Sequence, residues 1–148
     1  MTAMQLASSA VDLGVPLKNS WIFPIVQSVH LCGIALLVGS IVTLDLRLLD
    51  FALRRHSIGE IARRFAPWTR AGFAIMLITG PFLFITDIPR YIHNPAFLFK
   101  MVVLAMALAF HFALHSQVER RGKLAAFISI ALWTCVVLGG RAIADFDI

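Results

Sequence analysis

Four long apolar blocks divide the chain, and short polar or basic segments separate them. Within each block the hydrophobic residues run on without the alternation of a half-buried strand, so the pattern predicts helices and not a barrel. A bilayer core about 30 Å thick needs about 20 helical residues. The blocks meet that length at about 21–49, 67–86, 96–117 and 124–144. Pro67 suits a helix start, and the Asn94-Pro95 pair breaks the chain ahead of the third block. The four spans leave no room for a separate soluble domain.

Composition supports the same picture. Hydrophobic residues make up 59% of the 148 positions, and mean hydropathy is +0.85. So few polar residues cannot cover a water-soluble surface, whereas lipid needs no such cover. The expected fold class is an all-α membrane protein, a four-helix transmembrane bundle forming one domain over 1–148.

The net charge of +5 changes the picture only through its placement. Arg54, Arg55, Arg63 and Arg64 lie between the first two spans, and Arg120, Arg121 and Lys123 between the last two. The opposite side has Lys18, Arg90 and a tail with Asp145 and Asp147. Clusters of this kind set membrane topology and argue against nucleic acid as a partner. The basic loops are expected inside, with both termini outside (N-out/C-out), periplasmic in a bacterial inner membrane. The first fourteen or so residues are mildly amphipathic through Met4, Leu6, Val11 and Leu13, which suits a short interfacial helix. They lack the basic start of a cleavable signal. Cys32 and Cys135 fall inside apolar blocks without a CxxC, so small apolar packing is their expected role.

Ionisable groups within spans carry the functional argument, because each is costly in lipid. His30 lies in the first span, and His111 and His115 lie in the third. Lys100, Leu104, Ala107, Leu108, His111 and His115 share one helical face, as do Phe23, Gln27, His30, Gly33, Ile34 and Leu37. A b-type haem wants such faces. Imidazoles coordinate its iron, small residues such as Gly33 admit the macrocycle edge or, equally, a closely crossing helix, and boundary cations such as Lys100 and Arg141 meet its propionates. His30 and His111 are the expected metal ligands. With span centres near residues 34 and 108, their depths differ by roughly 10 Å, more than one haem allows unless the helices tilt. The other reading makes the histidines packing glue, hydrogen-bonded to Gln27, Ser28, Thr79, Ser129 or Thr134. Near the basic end, Asp45 and Arg70 are expected to pair, and Gly80-Pro81 should kink the second helix.

The string Trp21-x-x-Pro24-x-x-x-Ser28-x-His30-x-x-Gly33, followed by Leu37-Val38-Gly39, Asp45-Leu46-Arg47-Leu48-Leu49, Pro67-Trp68 and Gly72-Phe73, resembles a family of small bacterial four-helix membrane proteins of unknown function. That family looks in turn like distant relatives of b-type cytochromes and copper-resistance membrane proteins. The resemblance implies that His30, with glycine one turn later, is a haem or copper ligand, and His111 matches only by general position. It departs from a di-haem cytochrome in lacking two histidine pairs at two depths.

Three functions follow as expectations. The first is a haem b-binding subunit carrying electrons between quinone and a periplasmic redox partner. The second is a cofactor-free accessory subunit of a larger membrane complex or homo-oligomer. The third is copper handling through His30 and His93 with Met4 or Met101. An electron-transfer or accessory role suits the chain better than a self-contained enzyme, since no Walker loop, HExxH or GxSxG occurs.

Overall fold

The computed structural model describes residues 16–115 and 122–145. Among the described residues, five helices with defined bounds follow one another: α1 (Ile22–Leu48), α2 (Ile58–Ile85), α3 (Ile88–His93), α4 (Pro95–His115) and α5 (Lys123–Asp145). All but α3 are long and apolar enough to cross a membrane, so the chain is an all-helical, multi-pass membrane protein. The expected interfacial helix over the first fourteen residues lies outside the described residues.

The second span begins earlier than the hydrophobic pattern predicts. Ser57 caps α2, its hydroxyl accepting from the Glu60 N–H at 3.1 Å, and Glu60 adds an acid to the first turn. Serine followed three residues later by glutamate is a start signal in its own right, and it places the helix start nine residues before Pro67. Pro67 and Pro81 therefore lie inside α2 without ending it. The segment expected as a loop between the second and third spans contains α3.

The closest packing joins α1 to α2. A Cβ at Gly72 would stand 2.6 Å from the Leu37 nitrogen and 2.8 Å from the Gly33 oxygen, and one at Gly33 would stand 2.6 Å from Ile75 Cγ2. The two backbones touch there, as small residues permit in membrane helix pairs. This crossing accounts for Gly33, which the sequence suggested as room for a macrocycle edge or for a closely crossing helix. Next to it, Leu37 and Ile41 of α1 share a buried cluster with Val103 and Ala107 of α4 and Trp133 and Val136 of α5. A second cluster nearer the basic end joins Leu44 and Leu48 to Ile61 and Ala126. Large apolar side chains also cover the outside, with Ile78 75% and Phe127 62% exposed, as a lipid-facing surface requires. Cys32 and Cys135 are exposed there as well.

The basic end is closed by a polar clamp. After α1, Asp50 takes the left-handed conformation at φ 59°. Its N–H bonds the Arg47 carbonyl at 3.1 Å and the Phe51 N–H bonds the Leu46 carbonyl at 3.0 Å, the two bonds of a Schellman stop. Aspartate tolerates this backbone better than most side chains do. Its carboxylate then meets Arg47 Nη1 at 2.9 Å and Lys123 Nζ at 3.1 Å, and Arg47 Nε donates to the His56 carbonyl at 2.8 Å. The end of α1, the following loop and the start of α5 are thereby tied together. The expected Asp45–Arg70 pair does not form. Because α2 starts at Ile58, Arg70 lies deeper along the helix than Asp45; it is exposed and bonds the Ala66 carbonyl.

Two outcomes follow. Gly72→Ala should lower the unfolding midpoint in detergent, because its Cβ meets backbone that cannot yield, an overpacking cost of about 1–3 kcal/mol. Gly39→Ala, whose Cβ meets nothing within 4 Å, should leave the midpoint unchanged or raise it, since alanine favours helix by about 1 kcal/mol. For the clamp, the Lys123 ammonium, followed by the Arg47 guanidinium, holds the Asp50 carboxyl below the usual carboxylate range. A carboxyl lowered in the folded state adds stability above its unfolded value and loses it as pH falls through the folded value. Asp50→Asn should therefore flatten the acid limb of a stability–pH profile below about pH 4 and leave its slope near neutrality unchanged.

Candidate functional site

The interior polar residues fall into two layers. The first surrounds His30. Its Nδ1 lies 2.6 Å from Thr79 Oγ1 across the α1–α2 seam, and the Thr79 hydroxyl lies 2.6 Å from the Ile75 carbonyl one turn back. A carbonyl only accepts, so the single hydroxyl proton of Thr79 goes to Ile75. Thr79 must then accept from His30, which fixes the Nδ1–H tautomer and leaves a lone pair on Nε2. Thr79 is one of the partners that the packing-glue reading named. The ring edge lies against Gly80, whose Cβ would stand 3.7 Å from His30 Cε1.

Lys100 lies close enough for its charge to act on the His30 ring. Its stem runs along α5, where a Cβ at Gly139 would be 3.2 Å from Lys100 Cβ and one at Gly140 3.6 Å from Nζ. Gly139-Gly140 thus makes room for a lysine. Lys100 is partly buried and makes no hydrogen bond or ion pair among the described residues. Arg141 follows Gly140 at the same end and is exposed.

Aromatic rings join α2, α3 and α4 at this end of the bundle. Phe84 stacks with Phe97 at 5.6 Å between centroids, and Tyr91 meets both, at 5.2 Å from Phe97 and 6.2 Å from Phe84. Asn94, buried, caps α4 through the Ala96 N–H at 2.9 Å and donates to the Ile143 carbonyl of α5 at 3.3 Å. The sequence suggested Asn94 only as part of a helix breaker. Its amide pins α4 and α5 together, which sets where Lys100 sits against the two glycines.

Leu37 and Ile41 share the apolar core with Val103 and Ala107, with His30 two turns before Leu37 on α1 and Lys100 one turn before Val103 on α4. His111 lies further along α4 beside Phe112, whose ring meets Phe73 of α2 edge-on at 5.8 Å between centroids. His115 follows one turn beyond His111, and its side chain lies outside the described residues.

A second layer lies nearer the basic end. Antiparallel α1 and α5, matched through both apolar clusters, bring Asp45 level with Ser129. Asp45 is 0% exposed and Ser129 3%. The His111 ring meets Phe112 edge-on at 5.7 Å.

The copper expectation finds its residues apart. His93 is exposed and donates Nδ1–H to the Pro89 carbonyl at 2.8 Å, and Met101 is exposed on α4, while Met4 lies outside the described residues. Among the described residues no group of three or more His, Cys, Asp or Glu side chains is arranged to hold a metal ion.

Residues 20–146 match the model of a family of unknown function, DUF6644. The chain belongs to that family, in agreement with the resemblance read from its first two helices. No curated protein and no solved structure matches it.

Proposed function

We propose that this member of the family is a redox subunit of the bacterial inner membrane that holds haem b through His30 and passes electrons between quinone and a periplasmic partner. The observation that carries the reading is the hydrogen-bond chain from His30 Nδ1 through Thr79 to the Ile75 carbonyl. A histidine whose second nitrogen is held in this way has its tautomer and ring orientation set for ligation through Nε2. The donor set fits on a second count. A partly buried lysine without an anionic partner is costly at membrane depth, and a propionate would neutralise Lys100 while the iron takes Nε2. Arg141 at the same end would meet the second propionate. When bound, the haem would supply the one-electron chemistry; the chain's own residues bind, orient and exclude water.

In this reading His30 is the haem ligand, and His111, further along α4, is the second candidate that the sequence offers. Orientation follows the basic residues. Arg54, Arg55, Arg63, Arg64 and Lys123 gather at one end, which the positive-inside rule assigns to the cytoplasm. Both termini, Lys100 and Arg141 are then at or near the periplasmic side.

A second reading, a cofactor-free accessory subunit of a larger membrane complex, has its own support. The glycines that the haem reading would use as room are taken up by the α1–α2 crossing and by the Lys100 stem, and the His30–Thr79 bond is itself interhelical glue.

An absorption spectrum of the protein purified in detergent separates the two. Haem ligation through His30 predicts a Soret band that is lost in His30→Ala; loss in His111→Ala as well would make His111 the second ligand. Thr79→Val, which frees the imidazole from its orienting partner, should weaken haem retention about 10–100-fold in a titration. Absence of the band in protein reconstituted with excess haem, with His30→Ala indistinguishable from wild type, would leave the accessory reading.

A further inference from the structure

We infer that the outward face of α2 near the basic end is a binding site for an anionic phospholipid, whose headgroup phosphate is held by Arg70 together with Arg63 and Arg64. The inference rests on the membrane-spanning helices alone and is independent of haem at His30.

An arginine that faces lipid carries it. Arg63, Arg70 and Leu77 recur every seven residues and so form one row along α2, and Arg64, Ala71 and Ile78 form the row beside it. All six are exposed, and Leu77 and Ile78 are among the large apolar side chains on the outside of the bundle. Arg70 therefore points outward. Its depth is fixed by the helix crossing, since Gly72, two residues on, meets the backbone of Leu37, and Leu37 belongs to the buried apolar cluster. From Leu37 to the end of α1 at Leu48 is roughly 16 Å at the helical rise. Ionised side chains within spans almost always face the bundle interior, and one that faces hydrocarbon without a counter-charge is costly.

The side chain is already turned toward the headgroups. Arg70 Nε donates to the Ala66 carbonyl at 3.4 Å, one turn nearer the basic end, as side chains on a helix lean toward its N-terminus. Among the described residues that bond leaves the Nη1–Nη2 edge of the guanidinium for a two-oxygen acceptor. Arg63 and Arg64 lie two turns nearer the same end. Glu60, the acid at the head of this face, meets His56 at 3.4 Å. Trp68, one turn after Arg64, is exposed as well, and an indole so placed marks the border between hydrocarbon and headgroups.

Charge and depth decide the occupant. A phosphate matches the guanidinium fork, and it sits at the level to which a long side chain can extend from an apolar position. An acidic side chain of a neighbouring protein would have to bring its own carboxylate into the hydrocarbon, at a desolvation cost that a phosphate at its own boundary does not meet. A zwitterionic lipid carries a cation that competes with the arginines for its phosphate. The fitting class is therefore an anionic lipid such as phosphatidylglycerol, drawn from the leaflet at the basic end.

Lipid-dependent stability tests the site. The full chain is unfolded thermally in nanodiscs of phosphatidylcholine alone and of phosphatidylcholine with a minority of phosphatidylglycerol. A ligand bound only by the folded state raises the midpoint, so phosphatidylglycerol should raise that of the wild type by about 5 °C or more. Arg70→Gln should lose most of this rise, and the triple variant with Arg63→Gln and Arg64→Gln nearly all of it. The double variant Arg54→Gln with Arg55→Gln, which removes charge from the loop after α1, should keep it. A second readout does not depend on unfolding. Phosphatidylglycerol brominated in its acyl chains should quench the wild-type indole fluorescence more than brominated phosphatidylcholine does, and the difference should vanish in Trp68→Phe. An undiminished rise in Arg70→Gln, or an equal loss in the Arg54 and Arg55 variant, would overturn the proposal. So would a wild-type dimer that Arg70→Gln dissociates, since the arginine would then serve a second copy of the chain. If an arginine variant fails to fold, the quenching comparison of wild type with Trp68→Phe decides, and equal quenching by the two lipids sinks the site.

Discussion

Everything in this bundle is referred to the place where α1 and α2 touch through their backbones. At Gly33 and Gly72 there is no room for a Cβ, so the two helices are locked in depth as well as distance. In lipid, helices gain nothing from hiding apolar surface from water, and close packing with interhelical hydrogen bonds must hold them. The crossing supplies the packing. Two turns away, the same register delivers His30 to Thr79. Sliding α2 by one residue would move Thr79 to another face and leave a histidine without its partner in the hydrocarbon.

From that fixed pair the interior is organised as two polar layers with an apolar plug between them. His30, Thr79 and Lys100 occupy one layer, and Asp45 and Ser129 occupy the other. Their separation of about 22 Å is most of a bilayer core. Polar groups at such depth persist only where partners or ligands satisfy them, and in the first layer the Thr79 hydroxyl is such a partner for His30.

The helix ends are handled by different physics. At the basic end, water is near, and the clamp of Asp50 with Arg47 and Lys123 is a surface network whose strength depends on ionisation. At the other end, stacked rings of Phe84, Tyr91 and Phe97 with the Asn94 amide join three helices through apolar contact and directed hydrogen bonds. Asp50 and not Asp45 serves the clamp because the Schellman stop turns the chain just past α1, bringing Asp50 to the start of α5 while Asp45 remains on the buried stripe.

The sequence by itself determined the number of spans, because twenty apolar residues in a row have one stable solution in a bilayer, a helix that bonds its own backbone. It also determined that His30 and His111 lie inside spans, and it named Thr79 among the residues able to satisfy a buried histidine. The start of α2 was legible too, in Ser57 and Glu60, but hydropathy pointed instead to Pro67, since the first turns of that helix are too polar to stand out. Only the tertiary structure decided which polar residues share a depth. Offsets between helices depend on where backbones can touch, and that is set by side-chain volume at a few positions such as Gly33, Gly72 and Gly139, which no periodicity reveals. For that reason Arg70 bonds the Ala66 carbonyl and not Asp45.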